Sequence, residues 1–68
     1  MLKGVITFFN DAKGYGFIEA EEQTSRIFVH HSQISQPGYR TLREGESVAF
    51  DVREGNFGVE AVNVQRLP

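Results

Sequence analysis

Apolar and polar residues alternate in short runs along this chain, and turn-forming residues separate the runs. A strand places residues two positions apart on the same face, so each run predicts a β-strand. The runs predict five strands, at residues 1–10, 15–20, 27–30, 47–53 and 59–65. No helix of ordinary length fits between them. Because closure removes the exposed edges of a small sheet, the pattern predicts an all-β, five-stranded antiparallel barrel.

The inward faces of these strands supply a candidate core. Its predicted members are Ile18, Ile27, Val29, Val48, Phe50, Val52, Val62 and Val64. Phe9 and Phe50 are interpreted as chiefly structural, because large aromatic side chains are usually buried. The alternation stops between residues 32 and 46, where a Pro-Gly pair predicts an irregular connection with a short helical turn near residues 32–35.

Length and composition restrict the class of protein further. A chain of 68 residues is predicted to form one domain, residues 1–68, since it has no material for a second core. It contains no cysteine, so no disulfide or thiolate metal site is expected, and a cytoplasmic location is predicted. No apolar run approaches the ~18 residues of a membrane span. The net charge of −2 argues against long-range attraction to nucleic acid, but not against binding by stacking.

Four ring-bearing side chains fall on the faces opposite the predicted core. Tyr15 and Phe17 share one face of the second strand, and Phe28 and His30 share one face of the third. If these strands pair as an antiparallel hairpin through residues 21–26, the four become cross-strand neighbours. An outward aromatic patch on so small a domain indicates a partner, and a row of nucleobases needs only flat rings to stack on.

Polar residues near this patch fit the same hypothesis. Lys13 precedes the patch and is a candidate phosphate contact. Asn10, Gln33 and Asn56 are candidates for hydrogen bonds to base edges. None of these residues alone identifies a nucleic-acid-binding site.

Two segments resemble the paired ribonucleoprotein motifs of cold-shock domains. KGYGFI begins at Lys13 and IFVHH begins at Ile27. The similarity covers essentially the whole chain and includes GxxxFFN from Gly4, GYRTL from Gly38, EGESVAF from Glu44 and EGNFG from Glu54. The resemblance implies an OB-fold barrel without cofactors that binds T-rich or U-rich single-stranded DNA or RNA. It also implies an RNA chaperone or a cold-shock-type regulator of transcription or translation.

The resemblance also implies a set of nucleic-acid-binding residues. Carried over by position, with Arg26 added as a cation beside the patch, the set is Phe8, Phe9, Asn10, Lys13, Tyr15, Phe17, Arg26, Phe28, His30, His31, Tyr39, Arg40 and Phe57. The chain departs from the family pattern at several of these. Phe8 stands where the family usually has Trp, His31 where Phe is commonest, and Arg26 where an acidic residue is common.

The sequence gives weaker indications of catalysis or metal binding than of nucleic-acid binding. No Ser/His/Asp pattern, phosphate-cradling loop or paired-carboxylate site stands out, which predicts a non-enzyme. Adjacent strand residues point to opposite faces, so His30 and His31 do not predict a metal site. They reach one surface only if the strand ends or bulges near His31.

Two alternatives stay open at this level. A barrel with an aromatic face also fits a module that docks an extended peptide. The nearby lysine and histidines, and the absence of Trp, favour nucleic acid over that reading. A monomer is expected, with exchange of strands between two chains through residues 35–40 as the alternative.

Overall fold

Five strands and one short 3₁₀ helix build the structure, a computed structural model that describes residues 1–20, 26–35, 42–56 and 58–67. The strands are β1 (Leu2–Asn10), β2 (Tyr15–Ala20), β3 (Ile27–His30), β4 (Ser47–Gly55) and β5 (Gly58–Arg66), and the 3₁₀ helix His31–Gln33 follows β3 directly. The predicted bounds of β2 and β3 are confirmed, and the other strands differ by one or two residues at their ends. In the described part of the chain, no helix is long and apolar enough to cross a membrane.

The strands close into a barrel in the order β1-β2-β3-β5-β4, with β4 also paired to β1. The pairings β1–β2, β2–β3, β1–β4 and β4–β5 are antiparallel. The predicted five-stranded OB-type barrel is confirmed. Its β3–β5 pairing is parallel where an antiparallel one was predicted, with Phe28 opposite Glu60. A parallel bridge between Ile34 and Val64 lies beyond this β3–β5 pairing, which is called the seam below.

Branched aliphatic side chains and Phe50 fill the barrel. The predicted interior residues found buried are Ile18, Ile27, Val29, Val48, Phe50 and Val64. Ile6, Ile34 and Leu42 are buried as well. Ile34 and Leu42 come from the connection for which no strand was predicted, so this segment contributes to the core. Each such side chain stabilises the fold by about 1.5–3 kcal/mol through removal from water.

A β-bulge in β5 changes which side chains face the core. The register with β4 shifts at Asn63, whose φ is +53°. Ala61 and Val64, three positions apart, are both buried. The prediction that Val62 lies inside with Val64 is wrong, because the additional residue of a bulge reverses the inward and outward positions beyond it.

The second half of β4 extends past the core. Every residue from Asp51 to Gly55 is exposed, and Val52 is 37% exposed. The prediction that Val52 lies in the interior is therefore wrong, because β4 leaves the core after Phe50, which is the last buried residue of the strand. Ala49, in the first half of β4, is buried.

Candidate nucleic-acid interface

Antiparallel pairing of β2 with β3 places aromatic side chains side by side on the outside of the barrel. Tyr15 lies opposite His30, and Phe17 lies opposite Phe28. Residues directly opposed in an antiparallel pair share a face. The predicted grouping of these four side chains is confirmed, while their part in binding stays a prediction.

A second β-bulge brings Phe8 to the same surface. Ile6 lies opposite Ile18, but Phe8 lies opposite Phe17, so Thr7 is one extra residue on β1. The Thr7 hydroxyl donates to the carbonyl oxygen of Phe17 at 3.4 Å. Strict alternation from Ile6 would turn Phe8 into the core, and the bulge reverses that direction. Phe8 is 40% exposed.

The rings of Phe8, Tyr15, Phe17 and Phe28 form one continuous surface, named the aromatic face below. The centroids of contacting rings lie 5.9 to 6.3 Å apart. Tyr15 stacks on Phe28 with an interplanar angle of 18°, while Phe17 meets both of these rings edge-on. Tyr15, Phe17 and Phe28 are half-buried, so each ring is held by its neighbours and still presents part of its surface to solvent. Such a row of rings suits successive unpaired bases.

Phe9 does not belong to the aromatic face. It is partly buried and packs against the core, which supports its structural interpretation. Opposite it on β2 lies Gly16. A Cβ at Gly16 would collide with the carbonyl oxygen of Phe8 and with Phe9 itself. The missing side chain therefore allows β1 to approach β2 next to the bulge.

The two histidines lie side by side because β3 ends at His30 and the 3₁₀ helix begins at His31. Their ring centroids are 4.4 Å apart. The strand end expected near His31 is thus confirmed. His30 Nδ1 accepts from the backbone N–H of Ser32 at 3.3 Å and lies 2.9 Å from the Ser32 hydroxyl, which orients the His30 ring. Among the described residues, no group of three or more His, Cys, Asp or Glu side chains is placed to hold a metal ion.

The His31 ring packs against the tight turn between β1 and β2. The side-chain oxygen of Asn10 accepts from the Lys13 N–H at 3.0 Å, and the Asn10 carbonyl accepts from the Gly14 N–H at 2.7 Å. Gly14 has a φ of +74°, and the His31 ring occupies the space that a side chain at position 14 would need. Asn10 is consequently a turn-forming residue as well as a candidate base contact, and Lys13 is exposed beside the turn.

Arg26 lies at the edge of the aromatic face. Its guanidinium carbon is 5.9 Å from the centroid of the Phe17 ring, an exposed cation–π contact of about 0.5–1 kcal/mol. The predicted site residues Tyr39, Arg40 and Phe57 lie outside the described residues, and their membership of the site stays a prediction.

The sequence from residue 2 to residue 67 matches the family model of the 'Cold-shock' DNA-binding domain. The chain is a cold-shock domain. The family resemblance suggested by the two motifs is confirmed, and the matched family is one of DNA-binding domains.

Curated relatives of this cold-shock domain agree with that assignment. The chain is 49% identical over 67 residues to cold shock protein CspA of Staphylococcus saprophyticus, covering 98% of this chain and 100% of that protein. It is 46% identical over 68 residues to cold shock-like protein CspA of Stigmatella aurantiaca, which it covers completely. A solved structure of Drosophila Unr CSD456 has a TM-score of 0.82 at 24% identity and supports the fold alone. That match covers 98% of this chain and 26% of the longer one.

A groove of about 240 Å³ borders the aromatic face where β3 meets the β4–β5 hairpin. Its lining includes Phe28, His30, Ser32, Gln33, Arg53 and Glu60. Gln33 was predicted as a base contact from sequence, whereas Arg53 and Glu60 were missed. These two residues lie opposite one another on β4 and β5, and Glu60 lies opposite Phe28 across the parallel seam. No local pattern signals them, because residues distant in sequence form the groove.

Proposed function

We propose that this cold-shock domain binds single-stranded DNA or RNA by stacking successive bases on the aromatic face. The observation that carries the proposal is the continuous row of four rings on the outside of the barrel. In a duplex both faces of each base are already stacked, so such a surface selects single strands. We further propose a preference for T-rich or U-rich strands and a role in the cytoplasm as an RNA chaperone or cold-shock-type regulator.

Stacking energies are sufficient for this mechanism. A base stacked on an aromatic side chain contributes about 1–3 kcal/mol, and sub-micromolar affinity requires about 8 kcal/mol. Three or four stacked bases reach that range with little help from ion pairs, which agrees with the net charge of −2. Selective binding of single strands also shifts the equilibrium of a folded RNA away from its paired form, which is the basis of a chaperone role.

Few cationic side chains accompany the aromatic face. Lys13 and Arg26 are both exposed near its edges, and His30 and His31 add two imidazoles at one end. These groups suit contacts to phosphates, which position a strand without reading its sequence.

We expect a labelled thymine heptamer to bind at least about tenfold tighter than a duplex of the same length. A cytosine heptamer should bind more weakly than the thymine heptamer. Fluorescence anisotropy of the labelled strand measures these affinities directly. Equal affinity for single strand and duplex would contradict stacking as the mechanism. Failure to bind any strand would point to a peptide as the partner of the aromatic face.

A further inference from the structure

A second groove, named the outer groove below, lies on the outside of the barrel around Val5. It has a volume of about 180 Å³ and is lined by Lys3, Gly4, Val5, Glu19, Ser47 and Leu67. This lining shares no residue with the aromatic face. The binding mechanism proposed above therefore leaves the outer groove without a role.

Pairing of β1 with both of its neighbours builds the outer groove. Val5 lies opposite Glu19 on β2 and opposite Ser47 on β4, so these three side chains share the outer face of the sheet. Lys3 is two positions before Val5 on β1 and points to the same side. The Leu67 N–H donates to the Ser47 carbonyl at 3.0 Å, which brings Leu67 to the rim of the groove.

Part of this surface is apolar and open to solvent. Val5 is 42% exposed, and Met1, two positions before Lys3, is 64% exposed. Leu67 is half-buried. Apolar side chains that are exposed close to one another indicate a surface for a partner, whereas isolated ones do not.

The outer groove also carries one charge of each sign. Lys3 and Glu19 are both exposed, and across the residues that the structure describes neither forms an ion pair. Glu19 disfavours an anionic partner here, and Lys3 disfavours a cationic one. A fitting partner carries both charges in the complementary arrangement.

A second copy of the chain has this arrangement. From Val5, Glu19 lies across the strands at about 5 Å and Lys3 lies along β1 at about 7 Å, in roughly perpendicular directions. A two-fold axis along the bisector exchanges these directions and sets Lys3 of each copy against Glu19 of the other. Such self-complementarity is what a two-fold interface requires. We propose that two copies associate through the outer groove, with Val5 at the centre and two Lys3–Glu19 ion pairs around it.

The association is weak and independent of nucleic acid. The strands of the two copies cross at about 90°, as in the orthogonal packing of two sheets. Because the surface is small, we expect a dissociation constant of about 0.1–1 mM. The monomer expected from the sequence then remains the main form at micromolar concentration.

Amide chemical shifts of the nitrogen-15-labelled protein, recorded from about 0.05 to 2 mM, test the association without any nucleic acid. The signals of Val5, Ser47 and Leu67 should move with concentration, while those of Arg53 and Glu60 should not. Signals that do not move up to the highest concentration would overturn the proposal. Movement confined to residues of the aromatic face would overturn it as well.

Charge reversal tests the two ion pairs. Lys3→Glu alone, or Glu19→Lys alone, sets like charges against each other and should weaken self-association at least about fivefold. An equal mixture of the two variants restores both pairs, since the carboxylate introduced at position 3 meets the ammonium introduced at position 19, and the native Lys3 meets the native Glu19. The mixture should associate about as tightly as the wild type.

The matched controls are Arg43→Glu and Glu44→Lys. Both residues are exposed and lie outside the outer groove, and each reversal changes the net charge as its counterpart does. Each control should associate like the wild type, and circular dichroism checks that every variant is folded. Folded Lys3→Glu and Glu19→Lys variants that associate like these controls, or a mixture of the two that does not associate, would overturn the proposal.

Discussion

Replacing Phe17 or Phe28 with alanine should weaken binding of the thymine heptamer by about 10- to 100-fold, the loss of one base stack. Phe17 should show the larger effect. Its ring contacts those of Phe8, Tyr15 and Phe28, with centroids 6.1 to 6.3 Å apart, so its loss also removes support from three neighbouring rings. Anisotropy titrations of the two variants against the wild type would measure these changes.

The matched control is Val5→Ala, which truncates an exposed apolar side chain on β1. Val5 is 42% exposed and does not belong to the aromatic face. Its truncation should leave affinity within about twofold of wild type, since surface substitutions away from a site change little. Thermal unfolding followed by circular dichroism confirms that each variant is folded. Folded Phe17→Ala and Phe28→Ala variants that bind like Val5→Ala would exclude the aromatic face as the binding surface.

Gly16→Ala should lower the free energy of unfolding by about 2–3 kcal/mol and the melting temperature by about 10–20 °C, a large change for a domain of this size. A Cβ at this position meets the carbonyl oxygen of Phe8 and the Cα of Phe9, which are backbone atoms rather than mobile side-chain ends. Relief of the collision requires β1 to move away from β2 at the bulge. Thermal and urea denaturation would measure the loss.

Gly45→Ala separates this packing effect from backbone strain. Gly45 has a φ of +91° and no atom within 4 Å of the place that a Cβ would take, so alanine there adds only the strain of a left-handed residue, about 1–2 kcal/mol. Gly16→Ala should cost clearly more and should also weaken binding of the thymine heptamer, because Phe8 moves with the bulge. An equal or smaller loss of stability at position 16 would show that the two strands separate there without strain.

Short-range pattern was enough to predict β2, β3 and the hairpin between them. Their bounds, and the pairing of Tyr15 with His30 and of Phe17 with Phe28, follow from alternation over segments close in sequence. In such a hairpin, neighbours in space are near neighbours along the chain. Whether a side chain points into or out of the barrel then depends only on whether its position along the strand is odd or even.

Alternation could not predict the direction of side chains that lie beyond a β-bulge. Alternation places Phe8 inside with Ile6, and the family resemblance rather than periodicity identified Phe8 as a surface residue. The incorrect interior assignment of Val62 has the same cause at Asn63. A bulge depends on how two strands fit together, and one extra residue reverses every side chain beyond it.

Composition, alternation and the two motifs were sufficient to predict an all-β barrel, its cold-shock family and much of its aromatic surface. The groove that contains Arg53 and Glu60, and the burial of Ile34 and Leu42, depend on closure of the barrel. That closure pairs β3 with β5 in parallel and sets Phe28 beside Glu60. Contacts of this kind join segments far apart along the chain, so they form only when the whole fold forms, and no local sequence pattern encodes them.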